Sequence, residues 1–325
     1  MRRFLTILMA TGLMLVAGSA ATSAASSTTP SLASTHVYLI IGENTELGQV
    51  NKSDAPYLTG TLKLQSAWLT NYFALTHFSE ANYVGMMSGQ FTRCQQFDGS
   101  AASCHQDVPN LFSQLDEHGV SWQSWMESMP TACALISSGS PKALNHYGAK
   151  HNPAIFFDNV EGTSGAWSQT PGAECLSKDL PAGGTGPNDM SQFNAAVQGG
   201  QTAQFNLVVP NECEDGHDNC QPQKNSVAQF DAFLHNEVPL IQTADPNALI
   251  IVTFDEGTSN KGPASSKQFS GGGNVVFLAV GPLVHSGIYD ATANHYSLLA
   301  TLEDGYGTSR LAGAASADAI VQMWN

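Results

Sequence analysis

Residues 249–256 read Leu249-Ile250-Ile251-Val252-Thr253-Phe254-Asp255-Glu256. Six successive residues of strand-forming type, without polar alternation, describe a strand covered on both faces, as in a parallel sheet flanked by helices. The run then stops at two adjacent carboxylates. Outward from it, Val37–Ile41, Phe205–Val209 and Val275–Val280 are further apolar runs of strand length, and a strand near Val120–Trp125 follows a helix from about Asn110 to His118. Helical candidates over Tyr57–Asn71, Ser226–Glu237 and His295–Asp304 lie between these runs. Alternation of strands and helices predicts an α/β fold, a three-layer α/β/α sandwich on a mainly parallel central sheet. The stretch from Gly162 to Gly200, rich in Gly, Ser, Pro and Asn, is expected to be a long surface excursion, either a substrate-facing lid or a plain loop held by Cys175.

Three of the strand candidates run directly into polar clusters: Glu43-Asn44, Asn211 to Asp218, and Asp255-Glu256. Open α/β sheets bind ligands beyond the carboxyl ends of their strands, so the three clusters are expected to converge on one rim. Adjacent carboxylates at a buried strand end repel unless a cation or strong hydrogen bonds hold them; the alternative is an acidic turn in solvent. Glu43 and Asn44 add two oxygen donors, a set suited to one divalent ion such as Mg, Ca or Mn, with Zn left open by nearby histidines. Ser79, in His77-Phe78-Ser79-Glu80-Ala81-Asn82-Tyr83, stands just ahead of a helix start. Backbone N–H groups there favour an alkoxide and a bound phosphate, although a serine in that place can equally be an N-cap, with Asn82 a surface polar residue. His146, His151, His217 and His295 can donate to anionic oxygens, protonate a leaving group or ligate metal. His217 stands out because it lies in the acidic stretch Glu214-Asp215-Gly216-His217-Asp218. The sequence contains no G-x-S-x-G elbow, which counts against a serine carboxylesterase.

Composition narrows the partners. Lys plus Arg number 12 against 27 Asp plus Glu, for a formal charge of −15. Nucleic acid wants a basic face, so no nucleic-acid partner is expected. The same field repels an anionic substrate unless a bound cation reverses it locally. Arg2-Arg3, the apolar run Phe4–Ala17 and the small residues Thr22-Ser23-Ala24 have the layout of a secretory signal peptide over residues 1–24. Residues 25–35 are expected to be a flexible N-terminus, with the folded domain over residues 36–325. No later run is long enough for a transmembrane helix. Six cysteines in an exported chain favour disulfides. Pairing sequence neighbours gives Cys94 with Cys104, Cys133 with Cys175 and Cys213 with Cys220. The expectation is a soluble secreted, periplasmic or extracellular protein, as a monomer.

Taken together, these segments resemble the bacterial secreted phosphoesterase family that includes acid phosphatases, phosphatidylinositol-3-phosphatases and non-haemolytic phospholipases C, within the alkaline phosphatase superfamily. The likeness runs from about His36 to Gly313. Glu43-Asn44 looks like the first metal-binding pair, and Asp255-Glu256 like the second. The segment at Ser79 is similar to a nucleophile motif, Pro-Ser-x-Pro-Asn-Tyr followed by Ser-Gly, with Phe78 and Ala81 standing where prolines are usual. Lys150-His151-Asn152-Pro153, Val209-Pro210-Asn211 with Asp215 and His217, and Asn294-His295-Tyr296-Ser297-Leu298 through Glu303-Asp304 match three further motifs in order. The resemblance implies a cation held by Glu43, Asn44, Asp255 and Glu256 against Ser79, the nucleophile. It also implies phosphate donors at His151, His217 and His295, with Asn82 touching the phosphate. The expected activity is metal-dependent phosphomonoester hydrolysis through a phosphoserine, acid-phosphatase-like, with phosphoinositides among the plausible substrates. The alternatives are a phospholipase C-type phosphodiesterase and a non-catalytic phosphate- or metal-binding protein on the same fold.

Overall fold

Every residue of strand β1 (Val37–Gly42) is buried, and the remaining elements are arranged about it. The computed structural model describes residues 28–90, 93–94, 96–162, 165–262 and 271–325. The expected signal peptide lies outside these residues. The other strands are β2 (Ala67–Leu69), β3 (Tyr72–Phe73), β4 (Trp122–Met126), β5 (Asp179–Pro181), β6 (Phe205–Val209), β7 (Leu249–Phe254), β8 (Phe277–Val280), β9 (Gly287–Tyr289) and β10 (Ala293–Asn294). Eight of them form one sheet in the order β5-β4-β6-β1-β7-β8-β2-β9, while β3 pairs with β10. Strands β5, β4, β6, β1 and β7 are mutually parallel. Strand β8 runs against both β7 and β2.

The central strands are mostly apolar because helices cover the sheet, with buried Asn206 in β6 and Thr253 in β7 as exceptions. Helices Ser79–Ser88, Leu111–Glu117 and His295–Tyr306 pack on one another, and helix Ser226–Ala244 packs with Ser191–Gln198 and the π-helical turn Tyr57–Leu62. Asparagines start several of them. Asn110 accepts from Ser113 N, Asn225 from Ala228 N, and Asn294 from Tyr296 N and Ser297 N. Each cap satisfies an otherwise orphaned donor and stabilises its helix by about 1 kcal/mol.

The predicted helix Tyr57–Asn71 ends early, at Gln65, because residues 67–69 join the sheet between β8 and β9. The segment 162–200 is also more ordered than its composition suggests. It carries helix Ala173–Lys178, strand β5 and helix Ser191–Gln198. The stretch expected to be flexible up to residue 35 includes Leu32, which is buried and donates its N–H to Gly305 O at 2.7 Å. Disulfides join Cys94–Cys104, Cys133–Cys175 and Cys213–Cys220, the sequence-neighbour pairing.

Candidate active site

Parallel alignment of β6, β1 and β7 puts their carboxyl ends side by side, so the three polar clusters meet. Asp255 N donates to Gly42 O at 2.9 Å, and Glu43 N donates to Asp215 O at 2.7 Å, stitching the strand ends together. A Cβ on Gly42 would lie 2.6 Å from the Phe254 ring and 2.9 Å from Asp215 O, so only glycine allows that approach. Asn44 follows in a left-handed conformation at φ 48°. Its N–H donates to Asp255 Oδ1 at 3.1 Å and its amide to Glu43 Oε2 at 3.0 Å.

Ser79 enters from the other side, as the first residue of helix Ser79–Ser88. Phe78 occupies the N-cap position at φ 76°. The Ser79 hydroxyl is therefore not a cap. It donates to Glu43 Oε2 at 2.8 Å and lies 3.5 Å from Glu256 Oε1. The loop before it is braced by Asn82, whose Oδ1 accepts from Leu75 N and Thr76 N and whose amide donates to Thr76 O and Phe78 O. Both ends of the Asn82 amide are thus engaged with backbone, so this residue shapes the loop before Ser79 and leaves no free amide donor.

The histidines divide by position. His151 is buried between two carboxylates, with Nε2 3.4 Å from Glu43 Oε1 and Nδ1 3.3 Å from Asp215 Oδ2. His217, partly exposed, faces Lys150 Nζ through Nε2 at 3.5 Å. His295 is fully buried, and its ring lies 2.6 Å from Asp255 O through Nε2 and 2.9 Å from the Tyr72 hydroxyl through Nδ1. With both ring nitrogens occupied it fixes the Asp255 backbone and presents no donor to a substrate. Two residues without an expected role join the site. His77 contacts Glu256 Oε2 through Nδ1 at 2.6 Å. Lys150 Nζ, 3.2 Å from Asp98 Oδ2, is the cation closest to the cluster in its effect on Glu43, Asp215 and Glu256.

The electrostatics call for more positive charge than Lys150 supplies. Burial, followed by repulsion from Asp255 and Asp215, holds the Glu43 carboxyl well above the usual carboxylate range. Burial also lifts Asp215 well above it and Asp255 to about 7, and burial together with Asp255 lifts Glu256 to about 9. Burial pushes the His151 imidazole well below its ordinary value. Glu43 Oε1, His151 Nε2, Asp215 Oδ2 and Asp255 Oδ2 are all buried without a hydrogen-bond partner. Unpaired carboxylates in a buried site are strongly unfavourable, and a divalent cation resolves their charge and their coordination together. Glu43, His151 and Asp215 each offer a donor atom within 4.8 Å of the others. The residues present therefore fit a divalent cation, and the donor set is wider than the sequence suggested, with His151 and Asp215 beside Glu43, Asn44, Asp255 and Glu256. Imidazole nitrogen with carboxylate oxygen suits Zn or Mn as well as Mg.

Comparison with known proteins identifies the family and the fold. A model of the Phosphoesterase family matches residues 42–309. The chain is 27% identical to a phosphatidylinositol-3-phosphatase of Mycobacterium tuberculosis over 295 residues, covering 89% of this chain and 82% of that one. It is 28% identical to a probable acid phosphatase of Kluyveromyces lactis, covering 87% of this chain but 61% of the yeast protein. Among solved structures, an alkaline phosphatase superfamily protein from Vibrio parahaemolyticus matches 88% of this chain and 71% of its own, at TM-score 0.55 and 13% identity. A lipoteichoic acid synthase from Listeria monocytogenes matches 90% of this chain and 76% of its own, at TM-score 0.53 and 11% identity. At such identities the structural likeness speaks to the fold, which is alkaline-phosphatase-like.

Proposed function

Since the chain belongs to the Phosphoesterase family and is a phosphoric ester hydrolase, we propose that it is an exported, metal-dependent phosphomonoesterase with Ser79 as nucleophile. The observation that carries this reading is the Ser79 Oγ to Glu43 Oε2 hydrogen bond of 2.8 Å beside a set of buried, unpartnered ligand atoms. Glu43, Asn44, Asp255 and Glu256, with His151 and Asp215, would hold the ion, which when bound supplies positive charge that favours the serine alkoxide and the charge on the phosphoryl oxygens.

The chain's own groups do the rest. Glu43 Oε2 accepts the Ser79 proton as Oγ bonds to phosphorus in line and the ester P–O bond breaks. Lys150 and His217, paired at 3.5 Å and both partly exposed, are assigned in this reading to a phosphoryl oxygen and to the leaving alkoxide. Lys150 neutralises the oxygen and His217 protonates the alkoxide. Water then attacks the phosphoserine, breaking the Oγ–P bond and releasing orthophosphate. His77 and His295 act as positioning residues, the first on Glu256 and the second on Asp255.

Monoester preference is supported by relatives described as acid phosphatase and phosphatidylinositol-3-phosphatase. Export is supported by three disulfides and by the lack, among the described residues, of a helix long and apolar enough to cross a membrane. The test is hydrolysis of a chromogenic phosphomonoester beside the matching diester and a carboxylic ester, with and without chelator, from acid to alkaline pH. Chelator-sensitive monoester turnover is expected. Diester preference would replace the monoesterase reading, and silence on all three would leave a binding protein.

A further inference from the structure

His146, Glu212 and Asp218 form a second cluster that shares no residue with the Glu43, Asn44, Asp255 and Glu256 set. One donor atom from each lies within 4.8 Å of the other two. His146 is 9% exposed and Glu212 6%. His146 Nδ1 lies 2.8 Å from Glu212 Oε2, yet this buried nitrogen makes no hydrogen bond. The two atoms thus face each other closely with no hydrogen bond between them, an arrangement that a shared cation would satisfy. His217 borders the same space, its Nδ1 3.2 Å from Asp218 Oδ1 and 3.9 Å from Glu212 Oε2.

The backbone around the cluster is tied tightly. Glu212 N donates to His146 O at 3.1 Å, and Asp218 N donates to Glu212 O at 2.7 Å. The Cys213–Cys220 disulfide closes the loop that carries Asp218, and Glu212 immediately precedes it. Gly148 makes room for Glu212, since a Cβ there would lie 2.5 Å from Glu212 Oε1. Asp218 Oδ2 is held by Lys142 N at 2.9 Å, which leaves Oδ1 facing inward with His217.

We infer that His146, Glu212 and Asp218 bind a second divalent cation of the zinc class, with His217 held beside it through Asp218 and not as a ligand. Bonds of about 2.0–2.2 Å at tetrahedral angles put zinc donors roughly 3.3–3.6 Å apart; here one donor pair lies at 2.8 Å and no pair is more than 4.8 Å apart. An imidazole nitrogen beside two carboxylates admits Zn, and Co as its spectroscopic stand-in, as the ion to test. Such an ion would offset the two carboxylates and fix the His217 ring beside Lys150. It would thereby couple the 211–220 loop to the phosphate-facing side of the active site.

The experiment counts ions. Full-length protein is stripped with chelator, reloaded with zinc, freed of excess by gel filtration and measured by elemental mass spectrometry. Two zinc ions per chain are expected, with one lost in His146→Ala and in Asp218→Asn, and the other lost in Glu43→Gln. Cobalt in place of zinc should give the visible absorption of a low-coordinate ion that persists in Glu43→Gln and fades in His146→Ala. Circular dichroism checks each variant, and Asp218→Asn, at a partly exposed position, serves if His146→Ala unfolds. A wild-type chain that holds one ion or none overturns the second site, as does a count of two unchanged by both cluster variants. Loss of the ion in Glu43→Gln alone would refute this inference and leave the proposed phosphatase standing.

Discussion

Ser79 Oγ donates to Glu43 Oε2 across 2.8 Å, joining the first turn of a helix to the end of the central strand β1. Fold and chemistry meet in this contact, because β1 delivers the carboxylate and the helix delivers the hydroxyl. Glu43→Gln keeps the size of the side chain and removes both the proton acceptor and a cation ligand. The turnover number should fall on the order of 10²–10⁴-fold, the usual worth of a general base. Steady-state kinetics, with circular dichroism to confirm the fold, checks this.

Among the described residues, Lys150 is the lysine named among the main influences on Glu43, Asp215 and Glu256, and Asp98 holds it at 3.2 Å. As a donor to the transferring phosphoryl group its loss should cost about 2.7–4 kcal/mol, or 10²–10³-fold in turnover. Lys150→Met should show that loss without unfolding. An effect on KM alone would assign Lys150 to substrate capture and not to the transition state.

Asp179 gives a pH test away from the nucleophile. It is buried, accepts from Asn152 Nδ2 at 2.8 Å and is lifted by burial from 3.8 to about 7. The native state keeps a proton there that the unfolded chain releases at lower pH, so this stabilisation is complete in acid and lost as pH rises through about 7. Asp179→Asn keeps a neutral amide at all pH. Urea unfolding should find the variant gaining on the wild type from pH 4 to 8 by up to about 4 kcal/mol. A constant difference across that range would refute the shift.

Phe78 holds φ at 76° immediately before Ser79. Proline is confined near −65° and cannot adopt that conformation, and it lacks the N–H that Phe78 turns toward Glu256. Phe78→Pro should therefore lower both melting temperature and turnover, whereas Phe78→Gly, free to take positive φ, should retain the fold with a stability change of about 1 kcal/mol or less. Differential scanning calorimetry and kinetics on the pair separate backbone strain from loss of the ring.

The strand ends were legible in the sequence because apolar runs of strand length break abruptly into Glu43-Asn44, Asn211 to Asp218 and Asp255-Glu256, and parallel pairing does the rest. Residues 67–69 were not, since their strand character comes from β8 and β9, over two hundred residues away in the chain. Residue type marked Asn82 and His295 as chemical, but orientation decides their roles, and both turn their polar atoms into the scaffold. Lys150 and Asp215 lay inside the quoted motifs, and only burial exposes their weight. His77 lay two residues from Ser79, and nothing but the fold of the loop brings it to Glu256.

The most direct test of the account is to quench turnover of a phosphorus-labelled monoester in acid and map the label by peptide mass spectrometry. The account predicts phosphate on the peptide containing Ser79, dependent on divalent metal and absent in Ser79→Ala, whose turnover should fall on the order of 10⁴–10⁶-fold. Metal-dependent turnover at wild-type rate in Ser79→Ala, or label trapped on another side chain, would contradict it.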